Sequence, residues 1–244
     1  MSIATPGFAI VATALHGSQM LAEGSLIERF QTLLTGILAI IAALMGGRYV
    51  AKQINASDQQ ERQRIARKLR AAQAVAPLSL SELSNYCRNC GSMLLAVYSH
   101  KNSAGEIPVG TPVANVPKIP RNTIDDLRAI AEHAPPEVSR AAARVLANLQ
   151  IQHSRLSSLS EEIQSERSLV AAETIADLGI LTAQVSAGGD RFFVYCRELE
   201  DKLTGSTWEG LYSALHNTGW DIDDHSEVYG RARRYVDEGY FGKR

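Results

Sequence analysis

Between Arg29 and Arg48 the chain carries no charge. The run FQTLLTGILAIIAALMGG fills the eighteen positions from Phe30 to Gly47. As a helix it would be about 27 Å long, close to the roughly 30 Å hydrocarbon thickness of a bilayer. An arginine at each end suits the headgroup level, to which long basic side chains can snorkel. Tyr49, Val50 and Ala51 extend the stretch, and Ser25 with Glu28 forms a capping box that marks a helix start near Leu26. Residues 26–52 therefore read as a transmembrane helix, against the alternative of a buried helix in a soluble protein. The shorter apolar run from Phe8 to Leu15 lacks the basic leader of a secretory signal, and residues 1–25 read as a short extracytoplasmic segment.

The distribution of charge fits the same reading. The whole chain has a formal net charge of −1, so no global excess of positive charge points to nucleic acid. Locally, seven basic residues (Arg48, Lys52, Arg62, Arg64, Arg67, Lys68 and Arg70) follow the apolar run against Asp58 and Glu61, whereas Arg29 is the only one before it. Under the positive-inside rule the C-terminal bulk is cytoplasmic. Residues 53–76 read as a basic juxtamembrane helix that ends in a kink or a new first turn at Pro77. On the span itself Thr35, Ala39, Ala43 and Gly47 recur every four residues. Small side chains at that interval let two helices approach closely, so this face is a candidate contact for a homodimer.

Behind the span, residues 77–244 read as a helical domain. Apolar residues make up 45% of the chain, which excludes wholesale disorder. Leu80, Leu83, Cys87, Cys90, Leu94 and Val97 form a 4/3 stripe. Four of the eight prolines lie in residues 101–121, a loop. Asn122 and Thr123 look like N-cap chemistry for a short helix ending near His133, and Pro135-Pro136 opens a long one. The seam of that helix runs Ala142, Val145, Leu149, Gln152, Leu156, Leu159, Ile163 and Val170, diluted by Gln152 and Glu166. Ile175 to Val185 continue an apolar face that Gly188-Gly189 is expected to break or kink. Asp224 and Glu227 suggest a capping box for a last helix. The fold class is all-α: one N-terminal transmembrane helix, then an antiparallel bundle.

Chemistry-bearing motifs are sparse. Cys87 and Cys90 form a CxxC without the strand context of a redox site or a second ligand pair for zinc. Both fall on the apolar stripe, as Cys196 does on its own, so they read as small core hydrophobes, and three cysteines suit a reducing compartment. Asp221, Asp223, Asp224, His225 and Glu227 lack the glycine and glutamate positions of a calcium loop. Arg231, Arg233 and Arg234 suit a helix C-terminal half. No catalytic, cofactor or metal site is expected.

The segments Phe30 to Ala43, Gln53 to Arg70, Ala76 to Cys87 and Trp208 to Leu215 ("WEGLYSAL") together resemble uncharacterised proteobacterial single-pass membrane proteins with a helical cytoplasmic domain. The resemblance implies a fold and an address at the bacterial inner membrane, N-terminus outside. The expected role is a membrane-tethered interaction or scaffold protein. Its partners would be the lipid bilayer, a second copy through the span, and another protein. A membrane-anchored enzyme without a recognisable motif, or an effector from a mobile element, is the alternative.

Overall fold

The structure is a computed structural model that describes residues 26–165, 169–197, 203 and 207–238. It is mostly helical: α1 (Leu26–Tyr98), α2 (Arg121–His133), α3 (Pro136–Gln164), α4 (Ala172–Arg197), α5 (Thr207–Asn217) and α6 (Ser226–Asp237), with two-residue strands β1 (Glu106–Ile107) and β2 (Val170–Ala171). The chain divides into two units, Met1–Gln60 and Glu61–Arg244. In the first, every side chain whose exposure is described faces solvent. The hydrophobic core lies in the second, from Ala76 to Ala232.

Within the second unit α1 does not stop at Pro77. The helix runs through it to Tyr98, a correction to the expected restart there. An interior proline removes a hydrogen bond and costs about 3 kcal/mol. The offset is burial on one face on both sides of it: Gln73 and Ala76 before, Leu80, Leu83, Cys87, Cys90 and Leu94 after. Burying each large side chain contributes about 1.5–3 kcal/mol, so the stripe outweighs the proline.

The expected N-cap of α2 also serves another purpose. Pro120 occupies the cap position without a side-chain bond. Thr123 is fully buried and donates instead to the Ser79 carbonyl (2.6 Å), while the Ser79 hydroxyl donates to Asp126 (2.6 Å), so these residues tie α2 to α1. Helix α3 does open at Pro136 and buries the expected seam, but it ends at Gln164. Val170 is buried on β2, not on the helix. That strand pairs antiparallel with β1, Ile107 opposite Val170, and pins the loop's first turn to the start of α4.

Helix α4 runs unbroken through Gly188-Gly189, a correction to the expected break there. The two glycines are close-approach points. A β-carbon on Gly188 would meet Val145 of α3 at 2.6 Å, and one on Gly189 would meet Leu83 of α1 at 3.0 Å. Gly179 on the same helix would meet the Trp220 ring at 2.6 Å, and Gly91 of α1 would strike the Thr218 carbonyl. After α5, Gly219 has φ +99°, and the bonds Trp220 N–H to Leu215 and Gly219 N–H to His216 form a Schellman closure. This turn drives Trp220 into the core, edge-on to Tyr98 and His225.

These contacts order a substitution series. Gly91→Ala meets rigid backbone and should destabilise most, by about 1–3 kcal/mol. Gly188→Ala meets the end of a valine side chain and should cost less. Gly230→Ala, in α6 with nothing within 4 Å, should stabilise by about 0.5–1 kcal/mol. Equilibrium urea unfolding gives the order, and a Gly91→Ala variant as stable as Gly230→Ala would contradict it.

Candidate functional site

Three regions hold the candidate functional groups. The first is the apolar stretch of α1. Thr35, Ala39, Ala43 and Gly47 lie along it on one strip of helix surface, exposed, with the Thr35 hydroxyl donating to its own helix at Gln31 (2.8 Å). A β-carbon on Gly47 would meet nothing within 4 Å. Leu33, Leu34, Ile37, Leu38, Ile40 and Ile41 stand exposed around the same segment. Among the described residues, α1 is the one helix long and apolar enough to cross a membrane. Core helices and secretion signals meet the same length and composition criteria, but a core helix is buried and this segment is not.

The second region surrounds Cys87 and Cys90. Both are fully buried on α1. Burial pushes both thiols above the ordinary range, Cys90 adding to the shift at Cys87, and burial pushes Cys196 up to about 12. Beside them the Tyr86 hydroxyl donates to Gln152 (2.8 Å) and lies 3.2 Å from His153 Nδ1. The Gln152 amide donates to Thr182 (3.1 Å), whose hydroxyl donates to the Leu178 carbonyl (2.8 Å). Gln152, which only dilutes the apolar seam in the sequence, is therefore the middle of a buried relay joining α1, α3 and α4. Burial also raises the Tyr86 phenol. Among the described residues no group of three His, Cys, Asp or Glu is placed to hold a metal ion.

The acidic segment before α6 does not form the expected capping box. His225 takes the cap position without a side-chain bond. Asp221 accepts from the Asp223 N–H (3.1 Å). Glu227 accepts from Tyr98 (2.8 Å) and Lys101 (3.2 Å), fastening α6 to the end of α1. Its carboxyl is held below the usual range, first by its own backbone N–H at the helix start and then by those two partners.

The third region is one that sequence reasoning missed, a groove of about 570 Å³ where α3 and α4 lie side by side and α6 adds Tyr235. From α3 come Arg144, Asn148, Ile151 and Arg155, and from α4 Asp177, Leu181 and Gln184. Gln152 bonded to Thr182 and Val145 against Gly188 make the two helices antiparallel. This register places Arg155 towards the Asp177 end and Arg144 towards the other. Asp177 receives Arg231 in a two-point pair (2.5 and 3.1 Å) and the Tyr235 hydroxyl (2.9 Å). Arg231 also reaches Glu173 (3.2 Å), so it serves tertiary pairing and not the helix dipole. The one sequence trace of the groove is the spacing 144, 148, 151, 155, a stripe beside the buried seam of α3.

The thiols give a test with a definite sign. Their folded pKa values are raised, so the stability they contribute is full below the unfolded thiol value and is lost as pH climbs through the folded ones. The melting temperature should fall from about pH 8.5 upward. A Cys87→Ala, Cys90→Ala variant should show a shallower fall, and a thiol reagent at pH 8 should label none of the three cysteines until the protein is unfolded. Rapid labelling of the native protein would refute the burial argument. No family model, no curated protein and no solved structure matches the chain.

Proposed function

We propose that the chain is a membrane-tethered helical interaction or scaffold protein. Residues 26–52 anchor it in a bacterial inner membrane with the N-terminus outside and the helical domain in the cytoplasm. One observation carries this reading: the uncharged segment of α1 is helical, and every side chain in it whose exposure is described is exposed. Leu33, Leu34, Ile37, Leu38, Ile40, Ile41, Leu44, Met45 and Val50 all face out. Leaving such side chains in water forgoes about 1.5–3 kcal/mol each, of order 20 kcal/mol in all. Apolar surface on that scale is expected to be covered, and a bilayer covers it around the full circumference. The orientation rests on the excess of Lys and Arg after the segment. The scaffold role rests on the second unit, whose packed helices leave a groove of about 570 Å³ beside them.

Fractionation tests the tether. The chain should stay with membranes through alkaline carbonate extraction, and deletion of residues 30–47 should release it. A C-terminal alkaline phosphatase fusion should be inactive. Release of the intact chain by carbonate would remove the anchor, and an active fusion would reverse the orientation.

The small face tests pairing within the membrane. Ala43→Ile adds bulk where two backbones must approach and leaves the segment apolar, and Leu38→Ile, off that face, is the control. A reporter of transmembrane association should fall with Ala43→Ile and hold with Leu38→Ile. Equal readings would make the strip incidental.

A further inference from the structure

Three hydrogen-bonding side chains in the groove beside α3 and α4 are left over by the fold. Among the described residues Asn148 and Gln184, half-buried on the two helices, and Arg155 make no hydrogen bond or ion pair within the chain. The charged groups around them are engaged. Asp177 is matched by Arg231 and Tyr235, and Arg144 has an interaction of its own within the chain. Arg155 is thus the one cation lining the groove that is left for an occupant. The register of the helices orders these groups. Gln152 bonds Thr182 and Val145 faces Gly188, so Gln184 stands beside the turn from Asn148 to Ile151. Arg155 lies at the Asp177 end, where α6 adds Tyr235, and Ile151 and Leu181 line the middle.

A side-chain carboxamide carries the donor and acceptor groups of a peptide unit. One from each helix, at the same level of the groove, suits a stretch of backbone, whose N–H and C=O groups need partners once they leave water. Asn148 and Arg155 are seven residues apart, about 10 Å along α3, the length of about three residues of extended chain. A chain that lies past the amides reaches α6 at the Arg155 end, and the group it can bring there without a further side chain is its own terminal carboxylate.

We propose that this groove captures the C-terminal end of a partner protein as an extended segment. Asn148 and Gln184 bond its backbone, Ile151 and Leu181 take an apolar side chain, and Arg155 pairs with the terminal carboxylate. The carboxylate sets the direction of the segment, and the carboxamides accept many sequences because they read backbone. The proposal deepens the interaction reading and rests on it.

The test uses the full chain in detergent micelles and fluorescein-labelled six-residue peptides, rich in alanine, that end in leucine, valine or phenylalanine. Each is made with a free C-terminal carboxylate and as a C-terminal amide, and a third form carries the amide with one internal glutamate. At least one free-acid peptide should bind saturably, more weakly in high salt, and its amide should bind about tenfold less well. Arg155→Gln should erase that preference and leave both forms equally weak. Asn148→Ala with Gln184→Ala should weaken both forms and keep their ratio. Arg155 is exposed, so its variant should keep the wild-type circular dichroism and melting curve and would decide the matter alone if the double variant misfolds. Equal binding of acid and amide, no binding of any peptide, or a preference that survives Arg155→Gln would overturn the proposal. Binding of the internal glutamate form as tight as that of the free acid would overturn it in favour of an acidic side chain. N-acetyl-leucine binding as tightly as the peptides would overturn it in favour of a small-molecule site. A chain that stays in the membrane fraction but ignores the peptides removes the groove proposal alone. A chain that binds them but washes off the membrane removes the tether.

Discussion

Helix α4 is buried around most of its circumference, and the packing of the second unit depends on how closely its neighbours can reach it. Ile175, Leu178, Ile180, Val185, Phe192 and Tyr195 supply the apolar bulk. Gly179, Ala183, Ser186 and Gly189 supply the absence of bulk. A helix that is apolar on every side must be enclosed by others, and interiors tolerate little mismatch in volume. The notches at Gly179, Gly188 and Gly189 receive Trp220, Val145 and Leu83, which belong to three different parts of the chain. The Schellman turn at Gly219 and the reach of α1 past Pro77 both serve this enclosure, since each delivers a large side chain into an α4 notch.

Apolar packing alone would leave the helices free to slide. The relay from Tyr86 through Gln152 to Thr182 removes that freedom, because a shift of one turn on any of the three helices would strand a buried polar group at a cost of about 1–3 kcal/mol. The Ser79, Thr123 and Asp126 bonds hold α2 against α1 in the same way. One buried group escapes this accounting: the Trp220 indole N–H has no acceptor among the described residues. Its ring is held by Tyr98, His225 and the Gly179 notch, so packing fixes the side chain without the hydrogen bond.

Where one segment decides its own structure, the sequence was readable. The stripe from Leu80 to Val97, the end of α2 at His133, the opening of α3 at Pro136 and the burial of the cysteines all follow from local periodicity and helix chemistry. The failures share a cause. Pro77 and Gly188-Gly189 are helix breakers by propensity, and tertiary burial overrides them. Thr123 and Glu227 have the right types and positions for caps, but each bonds across the fold to α1 or the turn that follows it. The groove was illegible because its two walls lie some thirty residues apart, and only the register of α3 against α4 sets them face to face. The Ser25 half of the first capping box and the Glu166 position on the α3 seam lie outside the described residues.

The two proposed surfaces call for different solvents and reinforce one another. The exposed stretch of α1 has no charge for eighteen residues, so its free energy falls in hydrocarbon and no specific contact is needed. The groove has a small apolar middle and three unmatched polar groups, and such a surface binds weakly when its partner is free in three dimensions, since association must first offset lost translational and rotational freedom. If the proposed tether holds this chain at a membrane, a partner at the same surface would meet it at a raised effective concentration, which offsets part of that cost. A groove of modest affinity would then suffice for occupancy, and Arg155 would need only to set the direction in which the partner's end lies.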